Sequence, residues 1–357
     1  MKKHHAVTTA VVIVVLGALV YLQFRTWRAF NWKQFLAVSG DLFTTSHGLI
    51  HLAIAISLIY AGYYIRAIRW KLYLRPVKHV PVSRLVAPQY VGFAGLAILG
   101  RPGELIRPYL IGKREGLSFS SQLAVWSVER IFDMGAFAIL LAWNILIAPP
   151  SLRANPYYPA LQKGSWFLLA GIAVVATVAV VLRRSGPLGS AFVLRVFNFA
   201  PAFARKLASK VEAFAEGLNT IHNLSSFLQL AGLSLLMWFM IALAYLEVLH
   251  AYAAPLLRMH LGHVMLVMGS SMVGSMLQLP AVGGGSQLAT ISMMHSVLNV
   301  PEALAVSAGI MLWMVTFMAV LPVGFFFARR EGLSVLKLSE ESEKSEENAE
   351  ARADFTV

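Results

Sequence analysis

Long uncharged runs alternate with short basic stretches along this chain, a pattern that predicts helices crossing a lipid bilayer. Residues 6–24 (AVTTAVVIVVLGALVYLQF) contain no charge and, as a helix, would reach about 28 Å, close to the thickness of a hydrocarbon core. The run exceeds the length of a secretory leader's apolar segment, and no A-x-A cleavage pattern follows it. It is therefore expected to be a retained first span with a cytoplasmic N-terminus. Residues 25–47, with Trp27, Phe30, Trp32 and Phe35, predict an external stretch at headgroup level. A second span over residues 48–65 leads to RAIRWKLYLRPVKHVPVSR. Arg66, Arg69, Lys71, Arg75, Lys78 and Arg84 in that segment have no acid among them, which predicts a cytoplasmic anchoring loop able to touch anionic lipid.

The apolar run 85–99 is short and broken by Pro88, Gly92 and Gly95. Because basic charge returns at Lys113 and Arg114, a hairpin that re-enters on its own side fits better than a lone span. Irregular backbone at that depth must be buried in protein or face a wet cavity, so the tip, Gly100-Arg101-Pro102-Gly103-Glu104, is expected to line one. Further spans are predicted within 117–148, 165–182, 227–249 and 303–327, with a basic surface stretch over 183–222. Between the last two spans, residues 263–300 are interrupted by Pro280-Ala281-Val282-Gly283-Gly284-Gly285-Ser286-Gln287, which predicts a second hairpin entering from the opposite side. The expected architecture is all-α: a polytopic helical membrane protein with about six full spans plus two re-entrant helical hairpins of opposite sense. Residues 1–338 would form a single membrane domain, and 339–357 a disordered acidic cytoplasmic tail.

Composition agrees with that class. Of 357 residues, 58% are hydrophobic and 13% charged, about half the charge of a soluble domain. The net charge of +13 raises the question of nucleic acid, but the bases cluster beside apolar runs and no recognition motif accompanies them, so no nucleic-acid partner is expected. The absence of cysteine excludes thiol catalysis, cysteine-ligated metal and palmitoyl anchors. His47/His51 and His260/His263 have helical spacing, yet no HExxH motif occurs and no metal site is expected. The Gly283–Gly285 run lacks the Gly-Lys-Ser/Thr of a nucleotide loop. No cofactor is expected.

The candidate chemistry lies in GRPGELIRPYLIGKREGLSFSSQLAVWSVERIFD, residues 100–133. Arg101, Glu104, Arg107, Glu129, Arg130 and Asp133 put three cations and three anions within or beside apolar sequence. Left unpaired at mid-membrane depth, each would cost about 2.5 to 3.5 kcal/mol. They must pair with each other, line a wet cavity or sit at the interface. A salt-bridge network with one arginine released to a lipid phosphate satisfies the first two conditions. In the second hairpin, Pro280, Gly283, Gly284, Gly285 and Gln287 are the corresponding candidates, through backbone N–H groups or close helix approach. Three functions suit these residues: moving a lipid headgroup between leaflets, acid–base chemistry on a headgroup with Glu129 or Asp133 as base, or a scaffold for a separate synthase or glycosyltransferase.

The segments YIRAIRWKLYLRP, the 100–133 block and QLPAVGGGSQLA resemble, in the same order, the flippase-like family of membrane proteins, which is similar to the transmembrane region of lysylphosphatidylglycerol synthases. The resemblance covers nearly all of 6–330. It implies a multi-pass plasma (inner) membrane protein handling an anionic phospholipid or a polyprenyl-phosphate-linked glycan; the basic flanks Lys2-Lys3 and Arg329-Arg330 predict that both termini are cytoplasmic. In that family a glutamate commonly follows the glycine run and an arginine commonly sits in the last helix. Here those places hold Gln287 and Trp313. Only the acidic tail follows Arg330, so lysyl transfer by this chain alone is not expected.

Overall fold

The computed structural model describes residues 32–185, 194–195, 224–275, 284–330, 332, 341 and 344–345. The expected first span, most of the basic stretch 183–222, residues 276–283 and nearly all of the acidic tail lie outside them. Among the described residues every regular element is helical. The first, α1 (Trp32–Thr44), leads into α2 (Ser46–Leu74), whose first turn is capped by the Thr45 hydroxyl accepting from the Gly48 amide at 3.1 Å. The next, α3 (Val82–Leu99), runs through Pro88 and stops at Gly100, where φ 69° and ψ −143° require a residue without Cβ. A 3-10 turn (Arg101–Leu105) reverses the chain into α4 (Ile106–Glu115). After the Ser118 cap, which accepts from Ser121, comes α5 (Phe119–Leu146). There follow α6 (Tyr158–Ser185), α7 (Leu224–His250) and α8 (Leu261–Gly274). The last two are α9 (Gly284–Ser292), extended by a π turn to Val297, and α10 (Glu302–Arg330), with a π turn at Met314–Met318.

Four of these helices, α2, α3, α7 and α10, are long and apolar enough to cross a bilayer. Another, α5, has 28 residues, about 42 Å of helix, but carries Glu129, Arg130 and Asp133 at its centre. α2 lies along α7, α10 against α3, and α5 between α4, α6 and α7. Tyr63, Tyr90, Tyr245, Met268 and Met311 fill the centre, and Trp70, Tyr73, Leu85, Ile111 and Val128 form a second core at one end. The outer surface stays apolar, with Trp166, Phe167, Leu228 and Val273 exposed, as suits contact with acyl chains.

The structure corrects one boundary. α2 does not end at residue 65 but continues to Leu74, and Arg66 and Arg69 are buried in it rather than solvated in a loop. In the region of the first expected hairpin two helices, α3 and α4, are joined by the Arg101–Leu105 turn; the tip of the second lies outside the described residues. α4 folds back along α3 so closely that a Cβ on Gly92 would collide with the Cβ of Arg107. α8 and α9 flank residues 276–283, and a Cβ on Gly274 would strike the backbone of Gly285. For Gly285, at least, close packing is the structural role.

Candidate functional site

Helical periodicity brings the charged residues together. Arg66 and Arg69 are three apart on α2, and Glu129 and Asp133 four apart on α5, so each pair shares a face. Where the faces meet, Asp133 Oδ1 accepts from Arg69 Nη1 at 2.6 Å and Oδ2 from Arg66 Nη1 at 3.0 Å. Glu129 receives the two Nη groups of Arg107, delivered by α4, in the fork geometry that suits carboxylates. Arg107 also donates to Gln89 Oε1 at 3.0 Å, and Arg69 Nη2 donates to the Glu129 carbonyl at 3.4 Å. The Arg107 guanidinium lies 4.5 Å from the Trp70 ring and 5.1 Å from Phe93, which Arg66 approaches at 4.9 Å. Arg66, Arg69, Arg107, Glu129 and Asp133 are all buried.

Arg130 differs. Its side chain is 34% exposed, and its Nη2 comes no nearer than 4.0 Å to Asp133 Oδ2. Its guanidinium lies 5.7 Å from the Trp126 ring. Arg130 Nε and Trp126 Nε1 are buried donors without a partner among the described residues, an arrangement that costs free energy unless an acceptor arrives. Both residues line a small hollow of about 10 Å³ with Gly92, Phe93, Leu96, Glu104 and Arg107, room for about one water. Phe93 and Leu96 also line a cavity of about 180 Å³, with Arg66 in its wall. Its remaining polar lining is Tyr63, Trp238, Tyr245, Ser271, Ser275 and Thr316, amid Ile59, Ile241 and Met268.

Of the six charges expected to form a site, Arg107, Glu129 and Asp133 form the network itself, and Arg130 stands beside it. Glu104 lies at the small hollow. Arg101 belongs to the reversing turn, and its side chain is outside what is described. Arg66, Arg69 and Gln89 were not expected. A readable signal existed for the two arginines: their i, i+3 spacing continues the apolar face of α2 instead of following a loop pattern.

In the second hairpin, Pro280 and Gly283 lie outside the described residues, Gly284 and Gly285 open α9, and Gln287 is half-buried there. Gln287 does not line the large cavity; that hairpin contributes Met268, Ser271, Met272 and Ser275 instead. The Ser271 and Ser286 hydroxyls, 2.6 Å apart, tie its two helices together. At the far end of α7, Glu247 has its Oε2 2.6 Å from His51 Nδ1. Among the described residues no three His, Asp or Glu side chains converge as metal ligands.

Helices long and apolar enough to span a bilayer, packed around buried arginines and carboxylates, are those of a helical membrane protein. The chain belongs to the family of the lysylphosphatidylglycerol synthase transmembrane region, whose model matches residues 7–324. No curated protein and no solved structure matches it. Family and helices together make this a membrane protein linked to lipid headgroup modification or transport.

Proposed function

We propose that this protein binds the anionic headgroup of a membrane lipid, a phospholipid or a polyprenyl-phosphate-linked glycan, and helps it cross between leaflets. The observation that carries this is the charge balance of the site. Arg66, Arg69, Arg107 and Arg130 stand against two buried carboxylates, Glu129 and Asp133. That leaves a positive excess of two, or of one with Glu104 counted. An uncompensated cation away from water is unfavourable, and a phosphate would supply the missing charge. Arg130 Nε and Trp126 Nε1 are the unpartnered donors on offer, and the hollow beside them would have to widen from the size of one water to admit it. Moving a phosphate through bare hydrocarbon is opposed by desolvation. A polar site beside a cavity lowers that barrier while acyl chains stay in lipid.

Acid–base catalysis is less well supported. Glu129 is fully buried and already holds the guanidinium fork of Arg107, so it lacks the free lone pair and access of a general base. The reading includes about six spans, two hairpins of opposite sense, both termini on the cytoplasmic side of the plasma membrane, and room for a partner synthase or glycosyltransferase.

The test is leaflet exchange of labelled anionic lipids and polyprenyl-phosphate sugars in liposomes holding the full chain. Exchange above that of empty liposomes, lost in Arg130→Ala, is expected. Exchange no faster than in empty liposomes for every lipid tried refutes transport, and a chemically altered lipid would favour the enzymatic reading.

A further inference from the structure

Six Lys or Arg side chains lie between Arg66 and Arg84, and the structure divides them into two groups. Arg66 and Arg69 are both paired with Asp133. Lys78 Nζ and Arg84 Nε meet the buried carboxylate of Glu115 at 3.1 and 3.0 Å. The Lys78 ammonium also donates to the Glu115 carbonyl at 2.6 Å, so the 75–81 loop is pinned to α4. Lys71 and Arg75 remain. Neither they nor His79 forms an ion pair among the described residues, and the three share a surface concavity of about 410 Å³ with Leu72, Val80 and Pro81. No acid lines it.

A charge that served only to orient the chain would need no hollow. The α2 surface leading to this one is also ordered. Ala61, Tyr64, Ile68, Lys71 and Arg75 recur at alternating spacings of three and four, which keeps them on one side of the helix. Tyr64, Lys71 and Arg75 on this side are exposed. Tyr64 lies about 10 Å along the axis from Lys71, well inside a helix long and apolar enough to span. Apolar and aromatic surface thus runs directly into paired cations.

From this juxtaposition we infer that the Lys71–Arg75–His79 hollow is a second lipid site, separate from the buried network. It binds the phosphate of an anionic membrane lipid whose acyl chain lies along Ile68 and Tyr64. Free phosphate shares the headgroup chemistry but would leave that apolar stripe unused.

The chain has no cysteine, so Ile68→Cys gives a single labelling position on the stripe. A fluorophore there is quenched by brominated lipid in proportion to its occupancy. Two surface cations favour an anionic lipid by roughly tenfold or more, so brominated phosphatidylglycerol should outcompete brominated phosphatidylcholine by about that factor. The preference should vanish in Lys71→Gln/Arg75→Gln, be intermediate in Lys71→Gln alone, and persist in Arg130→Ala, where the proposed transport site is disabled. Equal quenching by the two lipids, or a preference unchanged in the double variant, overturns the proposal. Displacement of phosphatidylglycerol by millimolar inorganic phosphate would reassign the hollow to a soluble anion.

Discussion

Asp133→Asn tests the charged core most directly. In the wild-type protein one carboxylate serves two arginines, Arg69 at 2.6 Å and Arg66 at 3.0 Å, with only 4% of its side chain exposed. The substitution keeps shape and one acceptor oxygen but removes the charge, raising the positive excess from two to three. Breaking a buried pair costs about 3 to 5 kcal/mol, chiefly because the remaining charge is stranded. The retained oxygen places Asn at the lower end, about 3 kcal/mol, or roughly two powers of ten in the unfolding equilibrium. Unfolding by sodium dodecyl sulfate in mixed micelles, followed by tryptophan fluorescence, reads that difference, and Trp70 beneath Arg107 is a local reporter. Replacing both partners with apolar groups, Arg69→Met/Asp133→Leu, should recover part of the loss, because no charge of that pair is then left alone. An Asp133→Asn protein as resistant as wild type, or a double variant less stable than either single one, would mean that these side chains are hydrated and the burial argument fails.

Other substitutions separate packing from binding. Arg130→Ala should leave detergent resistance within about 1 kcal/mol of wild type, since its only ion pair among the described residues is long and partly exposed, while headgroup binding falls at least tenfold by lipid titration. Gly92→Ala should lower stability by roughly 1 to 3 kcal/mol, the usual cost of overpacking, because the new methyl displaces Arg107; the same unfolding titration measures it. Glu115→Gln frees two cations that are themselves 41% and 53% exposed. Its cost should stay near about 1 kcal/mol, with faster proteolysis of the 75–81 loop as the readout.

The sequence carried the class and the helix break at Gly100 because both rest on local rules. Pro88 and the glycines at 92, 95 and 100 announce an irregular helix pair, and Glu129 with Asp133 at i, i+4 announces one charged face. Partner choice was less legible. Charge rules for loops assign Arg66 and Arg69 to a solvated segment, whereas the structure matches them to an acidic face more than sixty residues away. Their i, i+3 spacing beside Trp70 and Tyr73 was the available hint. Lys78 posed the reverse difficulty: it sits in a loop, yet its counter-charge is Glu115, at the end of α4. The two hollows were not legible at all, because they arise where side chains from several helices fail to meet.

Phe93 and Leu96 line both the small hollow and the 180 Å³ cavity. The Phe93 ring lies 4.9 Å from the Arg66 guanidinium and 5.1 Å from that of Arg107. Turning a single side chain is faster and smaller than tilting a helix, so a rotation of Phe93 would alter the walls of both spaces and both arginine contacts at once, with no movement of the backbone.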